Sequence, residues 1–196
     1  MDRSEVMKRC PHLLSPAHLA AADTMGKAKH PPHLKAITEK LVTAWRTPNS
    51  RTAIVVPFQH GKSQRCSVYF PAWVLLLWPE TRIAIASYEQ SFAENNFGAK
   101  IRDIVNKYGP AFGIALRDDT NAKGEWVIEG HGGGVVCKGR GGALTGRPAD
   151  LLILDDMIKN AEEAQSPTIL DNLWDWYCTV AYSRLGPTAP IVAVGT

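Results

Sequence analysis

Two small clusters of residues could do chemistry in this chain, and both point to a phosphate. The first is Gly61-Lys62-Ser63, which ends the run Val55-Val56-Pro57-Phe58-Gln59-His60. The glycine lets the backbone turn, Lys62 brings a mobile positive charge to β- and γ-phosphates, and the Ser63 hydroxyl can ligate Mg²⁺. The expected nucleotide-holding segment is therefore Gln59, His60, Gly61, Lys62, Ser63 and Gln64. The second cluster is Asp155-Asp156. Asp155 is placed to hold the same Mg²⁺, directly or through water, which makes Ser63 and Asp155 the expected metal ligands. Asp156 is placed to polarise an attacking water. Between the clusters lies the glycine-rich stretch 138–147, which carries Arg140 and Arg147. Arginine suits the charge that develops on a transferring phosphoryl group, so both are candidates for that task. The full phosphate-loop pattern G-x-x-x-x-G-K-[ST] is not met, because Val56 stands where its first glycine belongs. The plainer alternative is a strand–turn–helix connection with an exposed lysine.

Chemistry of this kind needs elements that aim the residues. Thr52 to Val56 is apolar and largely β-branched, so it reads as a buried strand, and a helix is expected from Lys62 onward. A strand feeding a helix through a tight turn leaves unpaired N–H groups at the helix start, where the helix dipole also favours anions. Leu151 to Leu154 is four consecutive apolar residues, which fits a strand of a parallel sheet buried on both faces. Its C-terminal end carries the two aspartates, and ligands of open α/β sheets bind at such ends.

The rest of the chain reads as cover and support. Residues 1–31 look like a loose arm with one short helix near 16–25, and residues 32–196 look like a single domain. A helix from Pro32 carries the apolar stripe Leu34, Ile37, Leu41, Val42, Trp45. The helix from Lys62 meets Pro71, and proline favours a helix start, so a break into two helices is expected there. Thr81 to Ala86 reads as a strand, and Ser91-Phe92-Ala93-Glu94 as a capping box opening the next helix. Trp126–Ile128 and Val135–Cys137 read as a hairpin. Ser166-Pro167 starts a helix whose buried stripe is expected to be Leu170, Leu173, Trp174 and Tyr177. A last strand spans 190–194. Because it stops at Gly195-Thr196, the chain reads as a piece of a longer protein.

Composition narrows the class. A length of 196 residues with 45% hydrophobic and 21% charged content fits one globular domain with a full core. The net charge of +3 neither demands nor forbids a nucleic-acid partner. Cys10, Cys66, Cys137 and Cys178 are scattered, with no C-x-x-C pair, which argues against zinc and for reduced thiols. The longest apolar stretch, Tyr69 to Trp78, is too short to span a bilayer, and no signal peptide is visible; the expectation is a soluble intracellular protein.

Taken in order, these stretches resemble the large terminase subunit of tailed bacteriophages, the ATPase of the DNA-packaging motor. The resemblance rests on Pro57 to Ser63, Tyr69-Phe70-Pro71-Ala72-Trp73, Ala86-Ser87-Tyr88, Thr145 to Asp150 leading into Leu154 to Asn160, and Val194-Gly195-Thr196. It implies a P-loop ATPase of the additional-strand type, an α/β fold with a mainly parallel sheet, using ATP and Mg²⁺. Implied partners are double-stranded DNA, the portal protein, the small terminase subunit and further copies of the chain in a ring. The implied place of action is the host cytoplasm, docked on a procapsid. The family's C-terminal nuclease has no counterpart here, so no endonuclease activity is expected of this chain. Many relatives carry an arginine where Gln59 stands, so its role passes to Arg140 or Arg147, in cis or from a neighbouring subunit. Many also have Glu at the position of Asp156, which makes Glu162 or Glu163 the alternative catalytic carboxylate. Two rival readings are a helicase-like motor and a non-hydrolysing, nucleotide-dependent assembly module.

Overall fold

The computed structural model describes residues 10–144 and 148–196. Among these residues seven strands form: β1 Arg51–Val55, β2 Arg82–Ser87, β3 Leu116–Asn121, β4 Glu125–Ile128, β5 Gly134–Gly139, β6 Leu151–Asp155 and β7 Ile191–Gly195. They join in one sheet in the order β1-β7-β6-β2-β5-β4-β3. The first five in that order run parallel, and β4 and β3 add an antiparallel wing beyond β5. The expected α/β class with a mainly parallel sheet and a hairpin is what forms. β3 was not expected. Its sequence, LRDDTN, has little strand character, and only Leu116 is buried; it forms because the neighbouring edge offers hydrogen bonds.

Among the described residues, six helices flank this sheet or pack on its helical cover. They are α1 Pro16–Asp23, α2 Pro32–Arg46, α3 over 62–77, α4 over 90–108, α5 Ala161–Ala164 and α6 over 167–181. The larger core lies on the face that α1 to α4 cover, where Ile83, Ile85, Leu151, Ile153 and Val192 meet Trp73, Leu75, Phe97 and Ile101. The opposite face holds a smaller cluster around Leu152, Trp176 and Ala181. β6 is packed from both sides, as its apolar run requires.

Registry makes the site. Val55 pairs with Gly195, Asp155 with Val194, and Ser87 with both Asp155 and Gly139. The C-terminal ends of all five parallel strands therefore form one edge.

Four local expectations fail in whole or in part, each for a physical reason. Pro71 does not split its helix: α3 is continuous, with a π turn at Arg65–Tyr69 placed just before the proline. That wider turn absorbs the missing N–H and the ring clash that a regular helix could not. α4 starts at Gln90 with Glu89 at its N-cap, and the Ser91 hydroxyl bonds the Glu89 carboxylate instead of the backbone, so no capping box forms. In α6 the expected stripe holds only in part: Leu173 and Tyr177 pack on the smaller cluster, but Leu170 and Trp174 are exposed, and the buried residues are Ala181 and Trp176, whose Nε1 donates to the Gly142 carbonyl at 2.9 Å. Apolar residues surround most of that helix, so the neighbour it meets, not the spacing, selects the buried side. Finally, the stretch expected as a loose arm belongs to the core from Cys10 onward. Leu13 and Leu19 are fully buried, and Trp73 donates to the Leu13 carbonyl at 2.7 Å. The Phe70–Leu77 part of α3 is apolar all round and needs cover on the side that the sheet does not reach.

Leu19→Ala should therefore destabilise the domain by roughly 2–5 kcal/mol. Thermal unfolding should show Tm lower by about 2–4 °C per kcal/mol lost. A loose arm would leave Tm unchanged.

Candidate phosphate-binding site

β1 ends at Val55, and the chain turns through two left-handed residues before α3 begins. Gln59 has φ +62° and Gly61 has φ +77°. A side chain at Gly61 would be strained by that φ and would press on Leu34 at 3.3 Å. The turn is buttressed from α2. His33 Nε2 lies 3.1 Å from the His60 carbonyl, the two rings sit edge to face, and His60 Nδ1 reaches the Phe58 carbonyl at 2.7 Å. Gly61 is the N-cap of α3, and no side chain of the described residues caps the helix start. The amides of its first turn are free for an anion.

Lys62 is nearly buried, 5% exposed, and lies in three contacts. Its Nζ donates to Thr196 Oγ1 at 2.7 Å, stands 3.5 Å from Asp156 Oδ2, and lies over the Phe58 ring at 5.0 Å. Asp156 is held at φ +43°, a left-handed conformation, with its N–H donating to the Val194 carbonyl at 2.9 Å. That bend turns its side chain back toward the lysine. The two clusters named from the sequence thus meet across β7: Lys62 with Asp156, and Ser63 Oγ donating to Asp155 Oδ1 at 2.9 Å.

Asp155 is fully buried. Burial is the main cause that pushes its carboxyl up to about 6; the Ser67 and Ser63 hydroxyls pull the other way, Asp156 pushes further up and Lys62 lowers it. Ser67, in the π turn of α3, donates to Asp155 Oδ2. Sequence reasoning missed Ser67, although its place four residues after Ser63 puts both hydroxyls on one helix face. It also missed Thr196 as a partner of Lys62.

Oxygen donors suit Mg²⁺, and Ser63 and Asp155 supply a hydroxyl and a carboxylate side by side. Ser87 adds a buried hydroxyl in register with Asp155 whose oxygen has no partner among the described residues. Those residues contain no cluster of three His, Cys, Asp or Glu side chains able to hold a metal ion. An ion here would complete its shell from substrate phosphates and water, as Mg²⁺ commonly does. The residues present fit it.

Arg140 and Glu163 do not join this group; they hold each other. Arg140 Nη1 and Nη2 each reach a Glu163 oxygen at 2.7 Å, and the Lys159 N–H adds 2.8 Å. Those bonds, the Arg140 pair first, hold the Glu163 carboxyl down at about 2. Arg147 lies outside the described residues. Gln59 is exposed at the rim, and Gln64 lines a groove of about 470 Å³ running toward Thr24, Lys29 and Tyr69.

No family model matches the chain, and no curated protein matches it. Among solved structures, it is similar to the large terminase ATPase domain of Thermus phage P74-26. The two share 20% identity with a TM-score of 0.54, over 93% of this chain and 70% of that one. That likeness shows a shared fold. β7 lies between the strand of the lysine turn and that of the aspartates, which is the strand order that the resemblance to the additional-strand type implies. The N-terminal domain of the DNA packaging ATPase of bacteriophage phi29 matches more loosely: TM-score 0.42, 15% identity, over 80% of this chain and 76% of that one.

Because the fold raises the Asp155 carboxyl from 3.8 to about 6, the folded state binds this proton more tightly than the unfolded chain does. The resulting stability is fully present below pH 4 and is lost as pH rises through 6. In urea titrations with EDTA, Asp155→Asn should gain roughly 2–3 kcal/mol relative to wild type between pH 4 and pH 7. A pH-independent difference would show that the carboxyl is not raised.

Proposed function

We propose that this chain binds ATP with Mg²⁺, hydrolyses it, and uses the cycle to move double-stranded DNA into a phage procapsid. One observation carries the reading: Lys62 stands 3.5 Å from Asp156 while Ser63 bonds Asp155 at 2.9 Å, at the foot of an uncapped helix. A basic residue, free amides, a hydroxyl and two carboxylates converge on one small volume. The shared fold with a terminase ATPase domain supports the choice of reaction.

In this reading the amides around His60 to Ser63 and the Lys62 ammonium hold the β- and γ-phosphates. Ser63 and Asp155 hold Mg²⁺, which when bound would draw charge from the phosphate oxygens. Lys62 leaves Asp156 and Thr196 for the phosphates, because a triphosphate is the stronger anion. Asp156 is then unpaired and free to orient water in line with the γ-phosphate. Glu163 is the holder of Arg140 in this scheme, not the catalytic carboxylate. The arginine facing the γ-phosphate is Arg140, once released by a neighbouring copy in a ring, or Arg147. Release of γ-phosphate returns Lys62 to Thr196 at the end of β7, which gives the hydrolytic cycle a mechanical output. Portal protein and small terminase subunit are the further proposed partners. DNA would be held by its phosphates, without regard to sequence and with affinity falling steeply as salt rises.

Phosphate release under enforced ring assembly tests the enzyme. Lys62→Ala should abolish it, and Asp156→Asn should lower kcat by about 10²–10⁴ while nucleotide binding persists. Equal, slow release by wild type and Lys62→Ala would leave only a nucleotide-dependent assembly module.

A further inference from the structure

Asp155 has two oxygens and two serine partners, and the two serines are not equivalent. Ser63, the proposed Mg²⁺ ligand, donates to Oδ1. Its hydroxyl oxygen can meet the ion through a lone pair while its proton stays on Oδ1, so that bond belongs to the metal shell and is no independent hold on the carboxylate. Ser67 donates to Oδ2, is fully buried, and sits too deep to meet a phosphate. A helical serine commonly bonds the carbonyl four residues back; Ser67 reaches across to β6 instead. It lies within the π turn Arg65–Tyr69, and such turns are frequent at functional sites. Ser87, the third hydroxyl of this face, is in register with Asp155 yet bonds to neither oxygen.

We propose that Ser67 is a positioning residue: it fixes the plane of the Asp155 carboxylate through Oδ2, so that Oδ1 alone is presented to the metal beside Ser63. The inference rests on the Mg²⁺–ATP reading and deepens it. The π turn that accommodates Pro71 thereby has a second use, since it holds the Ser67 hydroxyl over β6. Losing this bond would leave the aspartate free to rotate and would weaken only what depends on the metal. Amide and lysine contacts to the phosphates would be unaffected.

The test is the affinity of the whole chain for a fluorescent ATP analogue, measured in Mg²⁺ and in EDTA. Wild type should bind more tightly in Mg²⁺. Ser67→Ala should lose that increment by about 10-fold or more, the worth of a hydrogen bond to a charged group, with its affinity in EDTA within twofold of wild type. Ser67→Thr, which keeps the hydroxyl, should restore it, and in an Asp155→Asn background Ser67→Ala should have no further effect. If Ser67→Ala does not fold, Ser67→Cys keeps the volume with a weaker donor and should lose the same increment in part. An unchanged Mg²⁺ increment in these variants overturns the inference, as does an equal loss in Mg²⁺ and EDTA, which is the mark of a merely structural serine. Wild type that binds the analogue without any response to Mg²⁺ overturns the metal reading itself, and the inference with it.

Discussion

The arrangement depends on one buried carboxylate. Asp155 ends a strand packed on both faces, and its side chain is fully buried. A charge in that place is costly unless it is met by donors or by a cation. The protein offers hydroxyl donors from α3, and α3 must lie close against β6 to deliver them. That requirement ties the lysine turn to the aspartate strand more firmly than apolar contact would. Hydrophobic packing is tolerant of small shifts, whereas a hydrogen bond fails within a few tenths of an ångström.

The same constraint explains the state of the lysine. With α3 seated on β6, Lys62 is carried into a position that is nearly buried, and its ammonium must find partners there. It finds Asp156 and Thr196, the residues just past the ends of β6 and β7. A triphosphate would offer more negative charge to the same ammonium. The pairing orders the ammonium in the absence of a ligand. The left-handed backbone of Asp156 is consistent with this, since strain of that kind persists where the surroundings enforce it.

Much of this was legible in the sequence, for identifiable reasons. Gly61-Lys62-Ser63 and Asp155-Asp156 are short motifs that gain meaning together, each at the end of a strand, and Leu151 to Leu154 reads as a doubly buried strand. What was not legible depended on partners far along the chain. Leu13 and Leu19 look like isolated apolar residues among prolines until α3 presents its uncovered side. The phase of α6 is undetermined by its own pattern, because Leu170, Trp174 and Trp176 are all plausible inward residues. Pro71 carries a strong local rule that a single widened turn defeats. Ser67 shows the limit most clearly: its spacing from Ser63 was visible, but only the position of β6 makes that spacing meaningful.

Arg140 and Glu163 complete the logic of the edge. Arg140 follows the last residue of β5, and its N–H donates to the Ser87 carbonyl, while Ser87 is in register with Asp155. The arginine backbone is therefore two strand spacings from the aspartate, about 10 Å, a distance its side chain could nearly cover. It points instead to Glu163, on the segment that follows Asp156. A bidentate guanidinium–carboxylate pair is specific in geometry, so it fixes where that segment returns to the sheet. The loop carrying Asp156 is thus held at both ends: by the Val194 carbonyl at its start and by Arg140 near its finish. For Arg140 to act on a phosphate, Glu163 must release it, and the Asp156 loop then loses its far anchor. The Arg140–Glu163 pair and the setting of the Asp156 loop are therefore linked in this fold through Glu163.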